Sequence, residues 1–240
     1  LDDTALENVC AIYAGISAFN DVCDIPNPMS SDKITEIIYI TLMECPELFQ
    51  VPRDAEIIYQ SYVKSEKVIS VRFEYSIDSE SYMSMKNKCE RVVAGICSNT
   101  DWMTPEEKER YIYDYLATEC VYDDIADNSD NPYGALVEGR AKCDGISLAF
   151  KWVLEEMGMT CMCITGEDSD GIGHAWNSVE LEGAFYDVDL TQDVNRDEGE
   201  LPCYYAYNVS ADWVRNIYRV SDILTDVIYI PGSESMQRSY

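Results

Sequence analysis

The sequence predicts an α+β chain, on three observations. Helix-period segments dominate up to Gly158, short apolar runs bounded by turn residues cluster after it, and strands and helices do not alternate as βαβ units. A late antiparallel sheet preceded by helices satisfies all three.

Taken in order, the opening "LDDTALENVCAIYAGISAF" carries Leu6, Val9, Cys10 and Tyr13 at helical spacing, and "DKITEIIYITLMECPELF" places Ile34, Ile37, Ile38 and Leu42 likewise before Pro46. Two helices are expected. "AEIIYQSYVK" and "VISVRFEYSI" flank "SEK", and the second alternates Ile69, Val71, Phe73, Tyr75 and Ile77 with polar residues, which predicts a hairpin with one wet face. Residues 79 to 97 read as a third helix. At "SNTDWMTPEEKER", Thr104 can cap, Pro105 takes the first helical position and Glu107 completes a capping box. A boundary near residue 100 follows, with an N-terminal helical and hairpin region (1–100) packed on a core region (101–240).

The polar run "DDIADNSDNPYG" reads as a loop. In "CDGISLAFKWVLEEMGMT", Ile146, Ala149, Phe150, Val153, Leu154 and Met157 form one helical stripe, with Gly158 as its C-cap. "MTCMCITG" is a buried-strand candidate, and "HAWNSVEL" and "AFYDVDL" form a hairpin around Glu182-Gly183.

Composition narrows the function classes. Seventeen Lys plus Arg against 45 Asp plus Glu give a net charge of -28, which repels polyphosphate and anionic lipid. Nucleic acid is excluded as a partner, and cationic, Lys-rich peptides are favoured. No apolar run approaches the roughly 18 residues of a membrane span. Of ten cysteines the only close pair is Cys161 and Cys163, and a single histidine leaves no zinc pattern, so neither a metal nor another cofactor is implied. Most of the thiols read as small buried apolar residues. "GEDSDG" (166–171) lacks the spacing of a calcium loop and reads as a mobile loop at a cleft edge. Asn208 begins an N-x-S glycosylation triplet.

Two features carry chemistry. Cys143 stands within a residue or two of a helix start, where unpaired N–H groups and the positive end of the macrodipole favour thiolate over thiol, and Gly145 permits close approach to that turn. The second is the lone histidine, His174. A two-residue loop at Glu182-Gly183, or a four-residue loop at 181–184, sets His174 opposite Thr191, with Asp189 diagonal to it on the same face. A three-residue loop would separate them. A carboxylate on one imidazole nitrogen leaves the other free to move a proton, and beside Cys143 this makes nucleophile, base and orienter. A satisfied core histidine is the bland alternative.

The stretches "GRAKCDGISLAF", "GHAWNSVEL" and "FYDVDLTQD", in that order, resemble the cysteine, histidine and aspartate motifs of the transglutaminase-like superfamily, over roughly residues 100 to 210. "ERYIYDYLATECVYDD" also resembles the helix and Tyr-Asp turn before the cysteine in bacterial members, and "ECPELFQV" more loosely their N-terminal extension. The resemblance implies a papain-like core, with Cys143 at a helix N-terminus as nucleophile, His174 as general base and acid, and Asp189 orienting it. It further implies Tyr122 and the Cys143 N–H as oxyanion donors. Trp176, on the His174 face of its strand, either walls the cleft or belongs to the core. Ile146, Lys142 and Gln192 depart from the family pattern, which has tryptophan at the position of Gln192, so Gln192 is a substrate-specificity candidate.

The implied activity is on amide bonds of peptides or proteins through a thioester, as peptidase, deamidase or amine acyltransferase; the triad does not choose among these. A peptide-binding or scaffold module with an idle triad is the alternative. Cell-wall peptides are one substrate variant, and would need an exported or cell-surface bacterial protein. Residue 1 is Leu, so a processed export signal is compatible with the sequence.

Overall fold

Asp2 accepts a hydrogen bond from the Ala5 N–H and starts α1, Asp3–Ser17. The computed structural model describes residues 1–52, 59–194 and 202–221. The chain divides into two units, Leu1–Lys86 and Asn87–Tyr240.

In the first unit, α1 does not bury the face expected from Leu6, Cys10 and Tyr13, all of which are exposed. It buries Ala5, Asn8, Ile12 and Ile16 instead. The reason is a close approach to β1, Val22–Met29. A Cβ at Gly15 would collide with Cys23 Sγ, and the Asn8 amide clasps the Asn27 backbone, accepting from its N–H at 3.0 Å and donating to its carbonyl at 2.9 Å. Strand β1 itself was not expected, because Pro26 and Pro28 interrupt it; it lies at a sheet edge, where a missing N–H is tolerated.

Helix α2, Ser31–Glu44, is capped by Ser30 and buries Ile34, Ile37, Ile38 and Leu42 as its spacing predicts. The expected hairpin is β2, Tyr59–Lys64, and β3, Lys67–Phe73, turning at Ser65-Glu66, both with positive φ; residues 55–58 of its first segment lie outside the described residues. The sheet order is β1-β3-β2. The predicted alternation fails at Ile69, which is exposed while Val68 is buried, because a register shift between Tyr62 and Val63 changes the parity of the facing residues. Helix α3 spans Ser79–Ser98, and the division between the units falls within it.

In the second unit, Thr104 and Glu107 form the expected capping box at the start of α4, Pro105–Glu119. Buried on α4, Glu109 accepts from Tyr207 Oη at 3.0 Å and Asn208 Nδ2 at 2.9 Å, while Glu109 Oε1 and Asn208 Oδ1 have no partner among the described residues. The glycosylation triplet at Asn208 is therefore interior. Strand β4, Val121–Tyr122, pairs in parallel with β5, Arg140–Ala141. The run between them is a loop with one unexpected π-helical turn, Gly134–Glu138.

Helix α5, Cys143–Glu156, buries the predicted stripe from Ile146 to Leu154, while Met157 is a half-buried C-cap and the chain turns at Gly158 with φ +80°. It packs on β6, Cys161–Glu167, and β7, Gly173–Leu181, which with β8, Ala184–Val188, and β9, Arg219–Val220, form an antiparallel sheet in the order β8-β7-β6-β9. Glu182-Gly183 is a two-residue turn with both φ positive. Short helices α6, Thr191–Val194, and α7, Ala211–Arg215, follow. Between them, residues 206–209 run beside β8: Asp187 and Val209 exchange both backbone hydrogen bonds and the Asp189 N–H donates to Ala206. The fold is α+β. Among the described residues, no helix is long and apolar enough to cross a membrane.

Candidate active site

Cys143 is the first residue of α5, and no side chain caps that turn, so its first N–H groups and the positive helix end lie at the thiol. The preceding loop folds over this turn. The Lys142 N–H donates to the Ser129 carbonyl at 2.9 Å, and a Cβ at Gly145 would collide with that same carbonyl. The Lys142 ammonium lies 3.6 Å from Asp144, so its charge is shared with a neighbouring carboxylate.

His174 enters from β7, opposite Gly166 of β6. Its Nε2 stands 2.8 Å from Asp189 Oδ2, and Cys143 lies near enough to act on the ring. With Nε2 engaged by the carboxylate, Nδ1 is the nitrogen left for the sulfur. The β7–β8 register runs from Asn177 opposite Val188 to Leu181 opposite Ala184, as the two-residue turn requires. Pairing stops there. Thr191 begins α6 instead of facing His174, and Asp189 reaches the imidazole from just beyond the strand end. Its carboxylate is held at both oxygens: Oδ1 accepts from the Thr191 N–H at 3.1 Å, and Oδ2 accepts from Tyr218 Oη at 2.7 Å.

Electrostatics follow from this packing. Burial by itself would lower His174, but the hydrogen bond and charge of Asp189 and the nearby Cys143 outweigh it, pushing the imidazole up to about 10. Cys143 is 8% exposed and Asp189 3%, so little water screens them.

The remaining sequence candidates fall around this centre. Tyr122, on β4 in register with Ala141, has its hydroxyl pushed up by burial and then by the charges of Cys143, Asp124 and Asp144, which places it in the electrostatic field of the thiol. Trp176 is 1% exposed in an apolar cluster with Ile164, Val209, Val214 and Tyr218, and stacks behind His174 at 6.1 Å between ring centroids. It meets the site through the imidazole and not from solvent. Gln192 is exposed, with its side chain near enough to act on the Tyr218 hydroxyl. Among the described residues, no group of three or more His, Cys, Asp or Glu could hold a metal.

Sequence reasoning missed Tyr218 and the role of Asn177. Tyr218 sits between α7 and β9 with no periodic pattern to mark it, and its contact with Asp189 is non-local. The Asn177 amide donates to the Ser147 carbonyl at 3.0 Å, joining β7 to α5; an inward-facing amide in an otherwise apolar stretch was its signal.

Residues 91–190 match the model of the transglutaminase-like superfamily, and Cys143, His174 and Asp189 all fall inside that span. This part of the chain is similar to that superfamily. Among solved structures, one described as a TGase aligns at 12% identity and a TM-score of 0.41, covering 61% of this chain and 47% of that one. Another, described as "a Putative Cysteine Protease from Cytophaga hutchinsonii", aligns at 11% identity and 0.39, covering 57% and 62%. A structure of menin, described as revealing the binding site for Mixed Lineage Leukemia protein, aligns at 17% identity and 0.34, covering 55% and 31%. The chain thus spans less than two thirds of the length of each. No curated protein matches.

Proposed function

We propose that the chain is a cysteine-dependent amide-bond enzyme that works on peptides or proteins through a thioester, with Cys143 as nucleophile, His174 as general acid and base, and Asp189 as orienter. One observation carries the reading: a cysteine in the first turn of α5 stands near enough to act on an imidazole whose Nε2 lies 2.8 Å from a buried carboxylate. The transglutaminase-like match over the same residues supports it.

The steps balance without a cofactor. The thiolate attacks the amide carbon, and the developing oxyanion is held by the Cys143 N–H, with Tyr122 as second donor. The imidazolium gives its proton to the departing amine, leaving a thioester and a neutral imidazole. Water or a second amine then attacks the thioester, His174 takes the proton, and the sulfur leaves as thiolate. Water gives a peptidase or, at a side-chain amide, a deamidase; an amine gives a cross-link. The net charge of -28 supports cationic, Lys-containing substrates.

The test is incubation with a peptide library containing Gln and Lys, read by mass spectrometry, with Cys143→Ala alongside. Cleavage, a one-unit gain in mass, and loss of ammonia on joining two peptides separate the three outcomes. Products of equal yield from Cys143→Ala would overturn the proposal. So would a Cys143 that alkylates no faster at pH 6 than a thiol with a pKa of about 8.5, an outcome that leaves a peptide-binding module.

A further inference from the structure

Asp189 Oδ2 accepts two hydrogen bonds, one from His174 and one from Tyr218 Oη at 2.7 Å. The Tyr218 ring lies 4.7 Å from the imidazole and 5.0 Å from Trp176, so the tyrosine is packed against the pair it bonds. Behind it, the Gln192 side chain lies near enough to act on the Tyr218 hydroxyl. We propose that Tyr218, backed by Gln192, is a positioning residue for the His174–Asp189 pair: it aims the carboxylate and withdraws part of its charge from the imidazole. The catalytic use of this relay rests on the function proposed above.

The physical argument concerns one oxygen. A carboxylate oxygen that accepts from a hydroxyl is a weaker acceptor and a smaller negative charge toward its other donor. Burial and the nearby Asp189 charge push the Tyr218 hydroxyl well above the ordinary phenol range, so it stays a donor. Without that donation the imidazolium would be bound more tightly and would release its proton to a leaving amine less readily. Gln192 lowers the phenol and so strengthens its donation. The titratable groups acting here are Cys143 from α5, Asp189 beyond β8, the neutral Tyr218 before β9, and Asp168 of the β6–β7 loop, which acts on Tyr218.

The chain has one histidine, so an NMR titration of its imidazole reads His174 without ambiguity. Tyr218→Phe keeps the ring contacts, and the Thr191 N–H still holds Oδ1. It should raise the His174 midpoint by about 0.5–1 pH unit, and Gln192→Ala should raise it by less. Two midpoints unchanged from wild type, or lowered toward the ordinary 6.5, overturn the proposal. Alkylation of Cys143, located by peptide mapping, is measured on the same samples. A raised midpoint with an ordinary thiol keeps the relay and overturns its catalytic use; an activated thiol with an unmoved midpoint keeps the enzyme and overturns the relay.

Discussion

The Asn177 amide donates to the Ser147 carbonyl at 3.0 Å across the buried face between β7 and α5. Asn177 lies three residues beyond His174 on its strand, and Ser147 one helical turn beyond Cys143. One hydrogen bond therefore sets how far the imidazole-bearing strand stands from the cysteine-bearing helix.

Asn177→Ala should remove a buried hydrogen bond, the Ser147 carbonyl keeping its partner within α5, and cost about 0.5–1.5 kcal/mol of stability. Alkylation of Cys143 at pH 6 should slow with it, as the imidazole drifts from the sulfur. Thermal melts and site-resolved labelling measure the two effects, and a variant that melts lower with unchanged labelling would show that the bond does not hold the site.

Gly145→Ala places a methyl where the Ser129 and Asn131 carbonyls already sit. Backbone has little room to give, so a loss of about 1–3 kcal/mol is expected, along with a displaced loop over the Cys143 turn. Gly95→Ala is the control, since nothing lies within 4 Å of a Cβ there. Equal melting temperatures for the two variants would contradict the close-approach argument.

Burial pushes Glu109 up to about 7, despite the hydrogen bonds from Asn208 and Tyr207 that pull it down. With the folded value above the unfolded one, the stability it contributes is whole below its ordinary value and lost as pH rises through about 7. Glu109→Gln should thus be more stable than wild type by about 1–3 kcal/mol at pH 8 and nearly equal near pH 4.5. The new amide could also donate to the partnerless Asn208 Oδ1. Denaturant unfolding at both pH values decides it, and a penalty at pH 8 would sink the idea.

His174 behaves with the same sign. Its folded value of about 10 exceeds the ordinary 6.5, so its contribution to stability is complete below 6.5 and disappears as pH climbs through about 10. Cys143→Ala removes a neighbour that raises His174, and should lower the NMR midpoint of the imidazole. Asp189→Asn should lower it further. A midpoint unmoved by Cys143→Ala would mean that the sulfur and the ring are not paired.

What the sequence made legible was local. The Thr104 capping box, the stripe of α5 and the Glu182-Gly183 turn each depend on residues a few positions apart, and the turn alone was enough to bring His174 and Asp189 near one another. Contacts set by other elements were hidden. The buried face of α1 is chosen by Gly15 and Asn8 meeting β1, not by the larger apolar residues. Val68 and Ile69 exchange places because β3 carries an extra residue at Ile69, between the pairs Tyr62–Ser70 and Val63–Val68. Tyr218 reaches Asp189 from a stretch whose own pattern announces nothing, and Trp176 shares a face with His174 yet lies in the core because the C-terminal segment covers it.

That segment does two jobs at once. Residues 206–209 occupy the open side of β8, and Tyr218 further along supports the Asp189 carboxylate. If this stretch came away, the sheet would expose a row of unpaired donors and acceptors, the kind of edge that recruits strands from other chains. Loss of chemistry and onset of self-association would then be one event, so light scattering should rise in step with the decay of Cys143 reactivity.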